Sequence, residues 1–203
     1  MGGSLALNGE IVESLTVFDE MILYYPNDVD GLSKRAEVLS MLNRQKEALQ
    51  IYKKLFELGS DSVILRIHAG SIYFIEKEFQ AALNEFELAL KIIQSDNDIK
   101  YSKNNKKGND NENRDKNDQN DNNIHQKNDN LLLNNEDKKD KVLMNYEDKV
   151  TYILILHRIG KCYKESSDPR SLEYLNRALD LDPESKEILM DIAAVLMELG
   201  KEN

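Results

Sequence analysis

The chain is short of the features that hold small secreted domains together: one Cys, Cys162, no Trp and 3 Pro in 203 residues. A single thiol cannot close an internal bridge. That excludes a disulfide scaffold and makes a reducing compartment, the cytoplasm, the expectation, with the nucleus left open. Positive charge is also scarce, with 27 Lys and Arg against 37 Asp and Glu and a net charge of −10. That balance disfavours nucleic acid and anionic membrane as partners. No apolar run approaches the roughly 20 residues that span a bilayer. The longest candidate, Ile153 to Leu156, is broken by His157 and Arg158. The opening Met1 to Ala6 lacks the basic region and apolar core of a signal peptide. Ala6 also stands where a myristoylation signal needs Ser or Thr.

Composition divides what is there into three zones. Between Ser95 and Lys141, Asn, Asp and Lys supply 32 of 47 residues. Such a stretch cannot bury enough apolar surface to offset the roughly 1–2 kcal/mol per residue that ordering a backbone costs. A disordered insert over 97–141 is therefore expected. The flanking zones carry apolar residues at three- and four-residue spacing, as in Ile11, Leu15, Phe18, Ile22 and in Ala48, Ile51, Tyr52, Leu55. The pattern recurs in Leu172, Leu175, Ala178, Leu179, and no strand-like alternation competes with it. Short helices are expected throughout, punctuated by Pro26-Asn27-Asp28, Gly59-Ser60-Asp61 and Asp182-Pro183.

These helices repeat. Ala36 and Gly70 lie 34 residues apart, as do Leu39 and Tyr73, Ala48 and Ala82, and Tyr52 and Phe86. A third copy contains Leu156, Ile159, Gly160 and Tyr163, followed by Ser171, Leu175, Ala178 and Pro183 one residue early. Small residues at Ala36, Gly70 and Gly160 let two helices approach closely, and the aromatics fill the remaining space. This period and pattern resemble the tetratricopeptide repeat, a 34-residue helical hairpin. The resemblance implies an all-α solenoid of helix-turn-helix repeats interrupted by the low-complexity insert. Its expected parts are an N-terminal block over 9–96, the insert over 97–141 and a C-terminal block over 142–203. The first block holds a half repeat and two full repeats. The last holds one repeat and a terminal helix.

The same resemblance implies a protein-binding scaffold whose first helices line a concave groove, with a peptide or amphipathic helix of a partner as ligand. In that family positions 2, 5, 9, 12 and 13 face the groove. Carried onto this chain, they put Glu37 at an acidic end and Ile64, Ile67, Ser71 and Phe74 in an apolar middle. His157, Lys161 and Lys164 fall at a basic end. A cover over Ile67 and Phe74, by the insert or by a lengthened third-repeat helix, is the competing reading. A subclass of the family grips the C-terminal carboxylates of heat-shock chaperones with Lys and Asn at positions 5 and 9 of its first repeat. Here those positions hold Ser33 and Glu37, which disfavours a co-chaperone.

Two function classes follow: a groove-binding adaptor, or a structural subunit contacted through open hydrophobic ends, with possible self-association. No Gly-rich phosphate loop, nucleophile elbow or catalytic dyad occurs, so the expectation is no enzyme, no catalytic residue and no cofactor. Asp118, Asn120, Asn122 and Asp129 have calcium-loop spacing, but Asn123 replaces the turn glycine and Asp129 the bidentate glutamate. His68, His157 and Cys162 lack partners at ligand spacing, so no metal is expected and Cys162 reads as a buried, inert thiol.

Overall fold

The computed structural model describes residues 2–109 and 144–200, with side chains over 9–96 and 144–200. Among the described residues there are eight α-helices and no strand. The helices are α1 (Gly2–Tyr24), α2 (Val29–Met41), α3 (Gln45–Glu57), α4 (Val63–Ile75) and α5 (Phe79–Asn109), then α6 (Tyr146–Glu165), α7 (Arg170–Leu181) and α8 (Lys186–Leu199). Three antiparallel hairpins, α2–α3, α4–α5 and α6–α7, stack in chain order between the unpaired helices α1 and α8. α1 starts ahead of Gly9 and α5 continues past Asp96, so both run beyond the boundaries expected from the repeat alone. The tyrosine-led start of α6 lengthens that helix ahead of Ile153. The rest of the low-complexity stretch, with its calcium-like spacing, lies outside the described residues.

Local chemistry starts and stops these helices. The Asp28 carboxylate accepts from the Gly31 amide at 2.7 Å at the start of α2, and the Asn145 side chain does the same for Asp148 at the start of α6. Inside each hairpin the turn is the same motif. Asn43, Lys77 and Ser167 have φ of 60°, 62° and 53°. The next amide donates five residues back, Arg44 to Leu39, Glu78 to Tyr73 and Asp168 to Tyr163, at 2.8–2.9 Å. This is a Schellman closure, in which a left-handed residue satisfies the last carbonyls of the first helix.

The hairpins close tightly because one position carries almost no side chain. A Cβ built on Gly70 would stand 2.7 Å from the Phe86 ring, and one on Gly160 would stand 2.8 Å from the Leu175 side chain. Ala36 holds the same place in the first hairpin, and it is fully buried. Overpacking there costs on the order of 1–3 kcal/mol, more than the roughly 1 kcal/mol a helical glycine gives up in propensity.

The third hairpin loses one residue without losing register. In the first two, the Ala48 and Ala82 amides donate four residues back, to Arg44 and Glu78. The Ser171 amide instead donates three back, to Asp168. Pro169 enters this tightened turn, and the Asp168 carboxylate accepts from the Arg170 amide at 2.9 Å. Ser171 thereby reaches the buried place that Ala48 and Ala82 fill in the other hairpins.

Buried side chains form two clusters. One joins Leu15, Leu32, Leu39, Tyr52, Leu55 and Ile72 from α1–α4, and the other joins Phe86, Ile93, Ile155, Ile159 and Ile188 from α5–α8. Arg66 ties the joint between α3, α4 and α5. Its guanidinium lies 3.7 Å over the Phe56 ring and pairs with Asp61 and Glu85 at 2.7 Å. The stack runs on from α5 to α6 across the insertion point, where Gln94 Nε2 donates to Tyr152 and the Tyr163 hydroxyl to Glu87, each at 3.3 Å.

Lys77 is the bulkiest of the three left-handed turn residues, and such a φ costs a side-chain-bearing residue about 1 kcal/mol. Lys77→Gly is expected to raise Tm by about 2–4 °C in a chain of this size. Thermal melts followed by circular dichroism check it, and an unchanged or lowered Tm counts against the strain.

Candidate interaction face

First helices form the inner layer of the stack. α2 packs on α4 and α6 on α8, with no comparable contact between second helices among the described residues. First helices therefore make a layer of their own, pairing α2 with α4 and α6 with α8, and the positions expected to face a groove are carried on them.

Between α2 and α4 it opens into a cavity of about 410 Å³. Glu37, Ser40 and Met41 line it from α2, and Ser71, Ile72 and Ile75 from α4. Gln45, Tyr52 and His68 complete the lining. Tyr52 Oη lies 3.2 Å from His68 Nδ1, with the two rings edge to face. Burial raises the Tyr52 phenol and lowers the His68 imidazolium, the latter against the attraction of Glu37. Both groups are therefore neutral near pH 7. Among the described residues Glu37 pairs with Lys34 of its own helix, at 2.9 Å on the exposed rim.

Of the residues expected on this face, Glu37 and Ser71 meet in the cavity. Ile64 lies outside it, 62% exposed. Ile67 and Phe74 are half-buried against the α5–α8 cluster, Phe74 with its ring edge to face on Phe79 at 5.4 Å.

The other end is closed by charge. His157 Nε2 donates to Asp191 Oδ2 at 2.8 Å, and Lys164 Nζ to Asp191 Oδ1 at 2.9 Å. Lys161 Nζ stands 3.7 Å from Glu187 and 4.0 Å from Asp191. All three expected basic positions are thus engaged by α8 of the same chain. Burial would raise the Asp191 carboxyl, but the hydrogen bonds from Lys164 and His157 and the lysine charges hold it below its ordinary value. The Asp191 hydrogen bond in turn raises the Lys164 ammonium against its desolvation. His157, Glu187 and Asp191 bring ligand atoms within 4.8 Å of one another. Two ammonium groups already neutralise those carboxylates, and a divalent cation would have to displace them. Cys162 is buried, and desolvation pushes its thiol up to about 12 against the pull of Arg158, so it is protonated at neutral pH.

No protein-family model matches the chain. A 92-residue segment, 45% of the chain, is 27% identical to the BBSome complex member BBS4 of Xenopus tropicalis and spans 18% of that protein. Among solved structures, MamA superposes with a TM-score of 0.61 at 13% identity, over 98% of this chain and 85% of MamA. The MamA RS-1 ArsTM double mutant gives 0.62 at 14% identity, over 97% of this chain and 79% of its own. YrrB, a TPR protein with an unusual peptide-binding site, gives 0.54 at 18% identity, over 91% of this chain and 66% of YrrB. The chain has the tetratricopeptide-repeat fold.

In tetratricopeptide-repeat numbering, Glu37 and Ser71 stand at position 9 and Met41 and Ile75 at position 13 of successive hairpins, which is why they meet. The numbering does not point to Gln45 and Ile72, which complete the cavity from beneath, and it gives Tyr52 a packing role only. A buried polar residue at the head of a second helix was the available signal for Gln45. Asp191 had none, because a lone aspartate on a helix does not announce the lysines opposite.

The lowered Asp191 carboxyl sets a sign. Its contribution to stability is complete above the ordinary aspartate value of 3.8 and is lost as pH falls through the lower folded value. Asp191→Asn is therefore expected to lower Tm at neutral pH, and the gap to the parent chain should shrink below pH 3.8. A gap independent of pH in melts across that range would mean that Asp191 acts by shape alone.

Proposed function

We propose that the chain is a non-catalytic interaction module, a scaffold or adaptor that holds a peptide or helix of a partner protein along its inner face. The observation that carries this reading is the open α2–α4 cavity, with Met41 and the 59% exposed Ile75 in its lining and Ile64 exposed at the start of α4. Apolar groups kept in water beside a cavity gain by receiving a partner side chain. The likeness to YrrB, itself a peptide-binding protein, adds support. The cytoplasm or nucleus is its proposed setting, in keeping with a single buried thiol. Among the described residues no helix is long and apolar enough to cross a membrane.

Peptides selected from a random displayed library on the immobilised chain test the reading. They are expected to lose binding to Ile64→Glu and Ile75→Glu and to keep it on Lys53→Glu, an exposed substitution on α3. Peptides indifferent to both α4 changes would place binding elsewhere and defeat it.

A second reading, a subunit of a larger assembly, rests on α8. Leu189 and Leu196 are 45% and 53% exposed, whereas their equivalents Leu32, Leu39, Leu156 and Tyr163 are buried beneath second helices. The similar BBS4 is named as a member of a complex. On this reading a partner, or a second copy, covers α8. Sedimentation should then show concentration-dependent association at tens of micromolar, suppressed by Leu189→Glu with Leu196→Glu. A monomer throughout that range counts against the subunit reading and favours the groove-binding adaptor.

A further inference from the structure

We propose that the α2–α4 cavity is an anchor pocket for a basic side chain, lysine or arginine, of the bound peptide. The proposal rests on the groove reading above and specifies which residue of the partner the groove selects. Gln45 is the first observation. It is 8% exposed, and its Oε1 has no donor among the described residues. Its Nε2 reaches the Ser40 carbonyl only at 3.5 Å, the limit of hydrogen-bond length, so the amide is loosely held and able to turn its oxygen to an incoming donor. A buried acceptor without a donor is uncommon in folded proteins, and a ligand N–H resolves it.

Charge is the second observation. Among the described residues Glu37 is the one charged side chain lining the cavity, and no Lys or Arg lines it. His68 and Tyr52 are neutral, for the reasons given above, and do not oppose a cation. The Lys34 partner of Glu37 is an exposed neighbour three residues away, held by a pair that water screens and an incoming cation can replace. Shape agrees with charge. Met41, Ile72 and Ile75 offer an apolar wall for a methylene stem, and Glu37 and Gln45 belong to the same lining. A carboxylate in the same place would meet Glu37 and the Gln45 oxygen with no cation to balance it. A wholly apolar side chain would desolvate Glu37 and leave the Gln45 oxygen without a donor.

The test is a titration of the full ¹⁵N-labelled chain with four peptides, acetyl-Ala-Leu-Xaa-Leu-Ala-amide, where Xaa is lysine, arginine, norleucine or glutamate. The lysine or arginine peptide is expected to shift amides of α2 and α4 around Glu37 and Ser71, and that of Gln45 at the head of α3. It should bind about tenfold more tightly than norleucine, as a charge-assisted hydrogen bond would give. Glu37→Gln and Gln45→Leu should each reduce that preference, with the amide spectrum showing whether the fold persists. The peptide series stands without the variants if either fails to fold. Norleucine binding as tightly as lysine would overturn the proposal and leave the groove reading intact, since an apolar anchor would still occupy the groove. A glutamate preference would overturn it as well. So would an absence of shifts on α2 and α4 with all four peptides, and the library selection then decides the groove separately.

Discussion

Everything in this solenoid depends on how closely two helices approach inside a hairpin. At Gly70 and Gly160 the opposing Phe86 and Leu175 side chains occupy space that even a methyl group would invade, and Ala36 at the same place is fully buried. That distance decides how deep Tyr52 and Phe86 sit and how the inner helices line up. It also decides whether a gap is left between α2 and α4 for another molecule. A larger residue would widen a hairpin and shift every neighbour stacked on it, because each unit touches only the next.

Much of this architecture was legible in the chain. The small residues that mark it are spaced by packing geometry, and the 34-residue period records them directly. The early arrival of Ser171 was also readable, although only the structure shows the mechanism, a three-residue hydrogen bond in place of a four-residue one. Other features left no trace in the period. Lys77 and Ser167 adopt a left-handed turn that sequence would assign to glycine, because the hairpin closure around them outweighs local preference. Asp191 engages the expected basic end from α8, two helices further along the chain than His157 and Lys164. Long-range charge pairing carries no periodic signature.

The inner face is consequently two different surfaces. Over α6 and α8, His157, Lys161 and Lys164 are held by carboxylates of the same chain, so the charges there stabilise the stack. Over α2 and α4, among the described residues, Glu37 pairs at the rim and Gln45 retains an unpaired oxygen. Charges satisfied within a fold contribute little to recognition, and unsatisfied ones contribute more. The expected basic end is thus the less available one.

The continuity of α5 with α6 has a consequence for how the molecule is made. Gln94 meets Tyr152, and Glu87 meets Tyr163, across a long interval of chain. The α1–α4 cluster, by contrast, is assembled from neighbours in sequence. During synthesis the amino-terminal cluster can close as soon as α4 has emerged. The apolar side of α5, with Leu90 and Ile93, must stay uncovered until the ribosome has translated the whole interval and released α6. The two cores are thus completed at different times in synthesis, although the stack from α5 to α6 is continuous.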